Sequence, residues 1–174
     1  MEPNLDEIRA VLKRTPRAIR ELLDGLPEAW LSASEGPNTF TPRDVVGHLI
    51  QGEKTDWIPR ARIILNEGES RAFEPFDRMG GEGIVRSTAM PELLTRFEAL
   101  RVDNLKALDT LAITAEQLSL KGRHPALGVV TLGQLLATWA VHDLNHIGQI
   151  VRVMSRRYDS TVGPWKAYLG ILNR

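Results

Sequence analysis

Apolar residues recur at intervals of three and four along most of this chain, and strict alternation is nearly absent. That period is the 3.6-residue repeat of an α-helix, so it restricts the chain to an all-α architecture before composition enters. Leu5, Ile8, Leu12, Ile19, Leu22 and Leu23 mark a first helix over residues 4–25. Pro16 interrupts it, which predicts a kink or restart with Thr15 capping the second half. A second helix is announced by Thr41-Pro42-Arg43-Asp44: a cap, a proline at the first helical position and a carboxylate in the first turn. Val45, Val46, Leu49, Trp57, Ile58, Ile63, Ile64 and Leu65 carry it to about residue 66, with Pro59 expected to bend it. Leu93, Leu94, Phe97, Leu100, Leu105 and Leu108 define a third helix over 91–110. The fourth opens at the capping box Thr131-Leu132-Gly133-Gln134 and continues through Leu135, Leu136, Trp139, Ile147, Ile150, Val151, Val153 and Met154 to about residue 157.

The connections are less regular. Residues 26–38 read as a loop with room for one short turn at Pro27-Glu28-Ala29-Trp30, and residues 67–87, rich in Gly, Glu and Arg, read as a long one. Gly122, Pro125 and Gly128 punctuate a short hairpin-like excursion between 119 and 130, and residues 164–172 suggest a short terminal helix. Four long helices predict a four-helix bundle, all-α, with a short extra C-terminal helix and a long loop between helices two and three. No linker or repeat divides the chain, so a single domain over 1–174 is expected.

Charge and cysteine content narrow the function classes. With 22 Lys+Arg against 22 Asp+Glu, the chain lacks the basic excess that phosphate binding demands, so no nucleic-acid partner is expected. The absence of cysteine excludes disulfides, thiolate metal sites and a cysteine nucleophile, and it fits a reducing cytoplasm. The acidic start Met1-Glu2-Pro3-Asn4 does not read as a signal peptide, and no apolar run approaches a membrane span. A cytoplasmic protein without a membrane partner is the expectation.

The four histidines carry the chemistry. His142 and His146 are spaced by four on the fourth helix, which puts both imidazoles on one face, one turn apart. His48 lies on the second helix among core-type residues, with Gly47 and Gly52 leaving room beside it. Bundles build metal sites from inward-facing side chains of different helices, and three neutral imidazoles leave one coordination position for a reactant. Asp143 and Gln149 are the nearest candidates to orient an imidazole from behind. His142-Asp143-Leu144-Asn145-His146 superficially matches a zinc-peptidase helix, but Asp143 stands where the general-base Glu belongs and no third ligand follows. His124, in the excursion, reads as a turn residue with ligand or substrate contact as the alternative. The long loop is either a solvated linker or a source of substrate contacts through Arg71 or Arg78.

Taken in order, Asp44-x-x-x-His48-Leu49, Arg123-His124-Pro125-Ala126-Leu127-Gly128 and Thr131-Leu132 leading to His142-x-x-x-His146-x-x-Gln149-Ile150 resemble the DinB-like family of damage-inducible bacterial proteins. The resemblance implies a four-helix bundle holding one divalent metal, commonly zinc or nickel, through three histidines, which match His48, His142 and His146 here. It further implies a small-molecule substrate and, in many members, a homodimer. Members include thiol S-transferases that use bacillithiol or mycothiol, a mycothiol-dependent isomerase and metal-dependent hydrolases. The function expected is therefore activation of a low-molecular-weight thiol or of water at a three-histidine site. In the thiol case the sulfur comes from a cofactor, since the chain has only methionine sulfur. The rival expectation is a non-enzymatic stress-response protein whose metal is structural, which a protein side chain closing the fourth position would favour.

Overall fold

The structure, a computed structural model, describes residues 3–173; Met1 and Glu2, part of the N-terminal reading, and Arg174 lie outside them. Four long helical segments form the bundle. The first is split into α1 (Leu5–Leu12) and α2 (Thr15–Leu23). Asn4 caps α1 by accepting from the Asp6 and Glu7 N–H groups. The restart near Pro16 is as expected, but Thr15 does not cap it. Arg14 holds the cap position without a side-chain bond, and Pro16 sits in the first turn, where its missing N–H costs nothing. Thr15 instead turns its hydroxyl into the core.

After the short α3 (Glu28–Leu31), the second segment runs as α4 (Pro42–Thr55) and α5 (Trp57–Asn66). Thr41 and Asp44 close a reciprocal capping box at its start, with bonds of 3.1 and 2.9 Å. The break falls at Asp56, not at Pro59 itself. A proline ring clashes with the carbonyl four residues back, here that of Thr55, so the backbone departs from the helix one turn upstream of the proline. The third segment is α7 (Met90–Thr110), and the fourth is α8 (Leu132–Arg156), opened by the Thr131–Gln134 capping box.

Each segment carries residues of two apolar clusters. One gathers Leu12, Trp57, Leu105, Leu108, Leu136 and Trp139; the other gathers Ile19, Ile50, Leu94, Phe97 and Ile150. Between them, on all four segments, stands a polar residue: Thr15, Glu53, Arg101 and Asp143. These four make one bonded layer across the bundle. Arg101, 1% exposed, donates to both carboxyl oxygens of Asp143 at 2.6 and 3.0 Å and to Glu53 Oε1 at 2.7 Å. Trp139 Nε1 donates to the same Glu53 Oε1 and Asn104 Nδ2 to Oε2, and Thr15 donates to Asp143. Full satisfaction is what makes such a buried layer tolerable.

The connections finish the frame. β1 (Lys121–His124) pairs antiparallel with β2 (Gly128–Thr131), which is the expected hairpin. Gly122 is required there, because a Cβ would meet Ile64 Cγ1 at 2.6 Å where the hairpin lies on α5. The segment expected as an unbroken loop, 67–87, contains α6 (Glu82–Ser87), packed on α4. A Cβ on Gly81 would sit 2.6 Å from the Gly47 carbonyl oxygen, so two glycines let the backbones approach. The expected terminal helix takes the tighter 3₁₀ form, over Gly163–Tyr168 and Gly170–Leu172.

Candidate metal centre

His48 faces inward from the middle of α4, and His142 and His146 face it from consecutive turns of α8. The Nε2 atom of His142 lies 3.1 Å from that of His48 and 3.1 Å from that of His146. All three side chains thus offer ring nitrogens within 4.8 Å of one another, and no further histidine or carboxylate joins this group among the described residues. His48 and His146 are buried and His142 is half-buried. Aromatic rings wall the group: Trp57, itself stacked on Trp139, presents its edge to His142, and Phe76 and Phe40 pack against His48.

This surrounding dictates the protonation state. Burial pushes His48 down to about 4 and His142 down to about 3, with the neighbouring imidazoles adding to the effect, and it lowers His146 as well. At neutral pH all three rings are therefore uncharged. Of the two proposed supporting residues, Gln149 is the one that touches an imidazole. The Nδ1–H of His146 donates to Gln149 Oε1 at 2.8 Å, which places that ring's lone pair on Nε2, toward the other two histidines. Asp143 spends its oxygens on Arg101 and Thr15 and makes no bond to an imidazole among the described residues.

The donor set fits a divalent cation of borderline softness. It is all nitrogen, it is neutral, and its nitrogens converge at a separation that no fixed set of shared protons satisfies. The layer behind it adds to the fit: Glu53, Asp143 and Arg101 carry a formal charge of −1 between them, one turn from the histidines. Sequence reading missed Arg101 and Glu53. The signal was present, since both occupy positions on the apolar stripe of their helices, Arg101 between Phe97 and Leu105 and Glu53 between Leu49 and Trp57.

The group lies at the wall of a cleft of about 1070 Å³, whose lining includes Glu35, Phe76, Arg78, His124, Asn145 and Arg152. A smaller recess of about 340 Å³, between Phe40, His48, Arg78 and Val85, adjoins it. The segment before α6 therefore does more than link helices, for it brings Phe76 and Arg78 to the histidines. Arg71 is elsewhere, paired with Glu67.

A helical bundle with a three-histidine cluster opening on a cleft defines the class of molecule. The sequence profile of the DinB superfamily matches residues 12–150, and the chain belongs to that superfamily. Among solved structures it is similar to YfiT from Bacillus subtilis, described as a probable metal-dependent hydrolase with an unusual four-helix bundle topology. The TM-score is 0.74 at 22% identity, over 88% of this chain and 86% of that one. Among curated proteins no sequence matches significantly. Among the described residues, no helix is long and apolar enough to cross a membrane.

Proposed function

We propose that this chain is a metal-dependent enzyme in which His48, His142 and His146 hold one divalent ion, zinc or nickel, beside a small-molecule substrate. The observation that carries the reading is the convergence of three neutral ring nitrogens at the wall of an open cleft. When bound, such an ion supplies Lewis acidity and lowers the pKa of water or of a thiol to the neutral range. The chain's own residues do the rest. Burial keeps the imidazoles unprotonated, Gln149 fixes the His146 tautomer, and Phe40, Phe76 and Trp57 limit the water that reaches the histidines.

Two nucleophiles fit. The likeness to YfiT, described as a probable metal-dependent hydrolase, supports water. The volume of the cleft, ample for a thiol cofactor together with an electrophile, supports a low-molecular-weight thiol such as bacillithiol or mycothiol. A cytoplasmic location and assembly as a homodimer belong to the same reading, on the strength of the family resemblance.

Two measurements test it. Metal analysis of the purified protein should find about one equivalent of zinc or nickel, lost in His142→Ala; a native protein without stoichiometric metal ends the proposal. The loaded protein is then assayed against esters in water and against an electrophile with a panel of small thiols. Turnover with one of these names the nucleophile, and metal without turnover leaves a binding protein in which the ion is structural.

A further inference from the structure

His124 is the one histidine outside the cluster, and the fold takes care over how it is held. The backbone N–H groups of Ala126 and Leu127 both donate to its Nδ1, each at 3.1 Å. A ring nitrogen that accepts two hydrogen bonds carries no proton, so the neutral ring keeps its hydrogen on Nε2. Phe73 packs edge-on against the ring, and Phe73 N–H donates to the Arg123 carbonyl, so hairpin and loop fix the imidazole together. His124 lines the same cleft as the three clustered histidines, and its Nε2–H has no partner among the described residues. A donor oriented so firmly and left unbonded in a cleft is arranged for a ligand acceptor.

Arg78 complements it. Two arginines line this cleft. Arg152 is neutralised by Glu35 through a two-pronged pair at 2.8 and 2.9 Å. Arg78 has no carboxylate or other partner among the described residues, and its neighbour Asp77 accepts from the Met79 N–H. The cleft thus pairs one free guanidinium with one fixed neutral N–H donor, and its lining carboxylate, Glu35, is already engaged. Guanidinium groups and fixed N–H donors recognise planar or tetrahedral oxyanions.

We infer that Arg78 and His124 form an oxyanion subsite, so that the substrate of the proposed enzyme carries a carboxylate or phosphate group held away from its reacting end. The inference rests on the metal-centre reading only in calling the ligand a substrate; the subsite itself needs no metal. Arg78 supplies the charge and His124 supplies direction.

The test uses inorganic phosphate and succinate as probes, titrated by calorimetry and by ¹⁵N NMR of the histidine side chains. It is run on metal-loaded and on chelator-treated protein, so that coordination of the probe to metal is separated from binding at the subsite. Both preparations should bind one of the probes, and the His124 Nε2 resonance should move with it; the tighter probe names the substrate's anionic group. Arg78→Gln should weaken binding about tenfold or more, as loss of a charge-assisted bond does. His124→Asn is the second variant, because its Oδ1 can accept from the same turn amides while its shorter side chain withdraws the donor. It should weaken binding several-fold with the hairpin intact. If neither probe binds chelator-treated protein, or if both variants bind as the native chain does, the subsite is refuted, whatever the metal content proves to be.

Discussion

Gln149 matters at the residue scale because it decides which nitrogen of His146 is free. Its amide oxygen holds the Nδ1 proton at 2.8 Å, so Nε2 is presented without a tautomer shift. His48 and His142 lack that help, since their buried Nδ1 atoms have no partner among the described residues. The single support should therefore carry unusual weight. Gln149→Leu is expected to weaken zinc affinity by about 10–100-fold, the usual cost of losing a group that orients a ligand. Competition with a chromophoric chelator measures this, and an unchanged far-UV spectrum would show that the helix is intact. An unaltered affinity would mean that packing alone orients the ring.

The histidine pair on α8 was legible because one helix fixes its own geometry, and a spacing of four settles which face both rings share. His48 was legible from its own helix as a core residue only; its place beside the pair came from how bundles build metal sites and from the family resemblance, because nothing in local sequence says which turns of two helices meet. Asp143 shows the same limit. Its place beside His142 suggested support for an imidazole, whereas the bundle points it to Arg101, 42 residues away in sequence. A charged residue on an apolar stripe demands a buried partner of opposite sign, and that rule applied to Glu53, Arg101 and Asp143 together would have exposed the network.

At the scale of elements, capping and close approach govern the site. Both helices that carry the histidines open on complete capping boxes, at Thr41 and Thr131, and both starts were readable from the sequence. Thr131→Ala should cost about 1 kcal/mol in urea unfolding, the ordinary value of a lost cap. The break at Asp56 was misplaced by one turn because a proline acts on the carbonyl four residues before it. α6 was missed because six residues, one of them Gly83, offer no period to read. Yet the segment before α6 lines the cleft and α6 lines the adjoining recess, held against α4 by the contact of Gly81 with the Gly47 backbone. In Gly81→Ala the added Cβ meets backbone, which cannot rotate away, so α6 should shift outward. Metal content should stay at the native level while affinity for cleft ligands falls; loss of the metal instead would show that α6 also braces His48.

For the whole molecule, the polar layer is a structural commitment. Removing one member strands the others: Arg101→Met leaves two buried carboxylates without their cation and should cost about 3–5 kcal/mol in urea unfolding. The triple change Glu53→Gln, Arg101→Met, Asp143→Asn removes the charges together and should recover much of that loss, since a buried ion network often gains little over a neutral, well-packed layer.

The same global stability should respond to pH through the histidines, and the sign follows from their depressed protonation. In the unfolded chain each imidazole takes up a proton as pH falls through 6.5, whereas in the folded, metal-free protein His48 resists to about 4 and His142 to about 3, and His146 is shifted the same way. The unfolded state therefore binds more protons over this window, and stability falls with acidification. Asp56 opposes the trend. Burial raises it to about 6 despite Arg60 at 2.8 Å, so on acidification the folded state takes its proton first. His124, also lowered by burial, adds to the histidine side, so four groups act against one and the net effect between pH 7 and pH 5 is loss of stability. Urea midpoints of chelator-treated protein at the two pH values measure it, and His142→Ala should flatten the dependence while Asp56→Asn steepens it. A midpoint that is unchanged or higher at pH 5 would mean that the three imidazoles share protons in the folded state, and that the cluster is not the set of neutral nitrogens a metal requires.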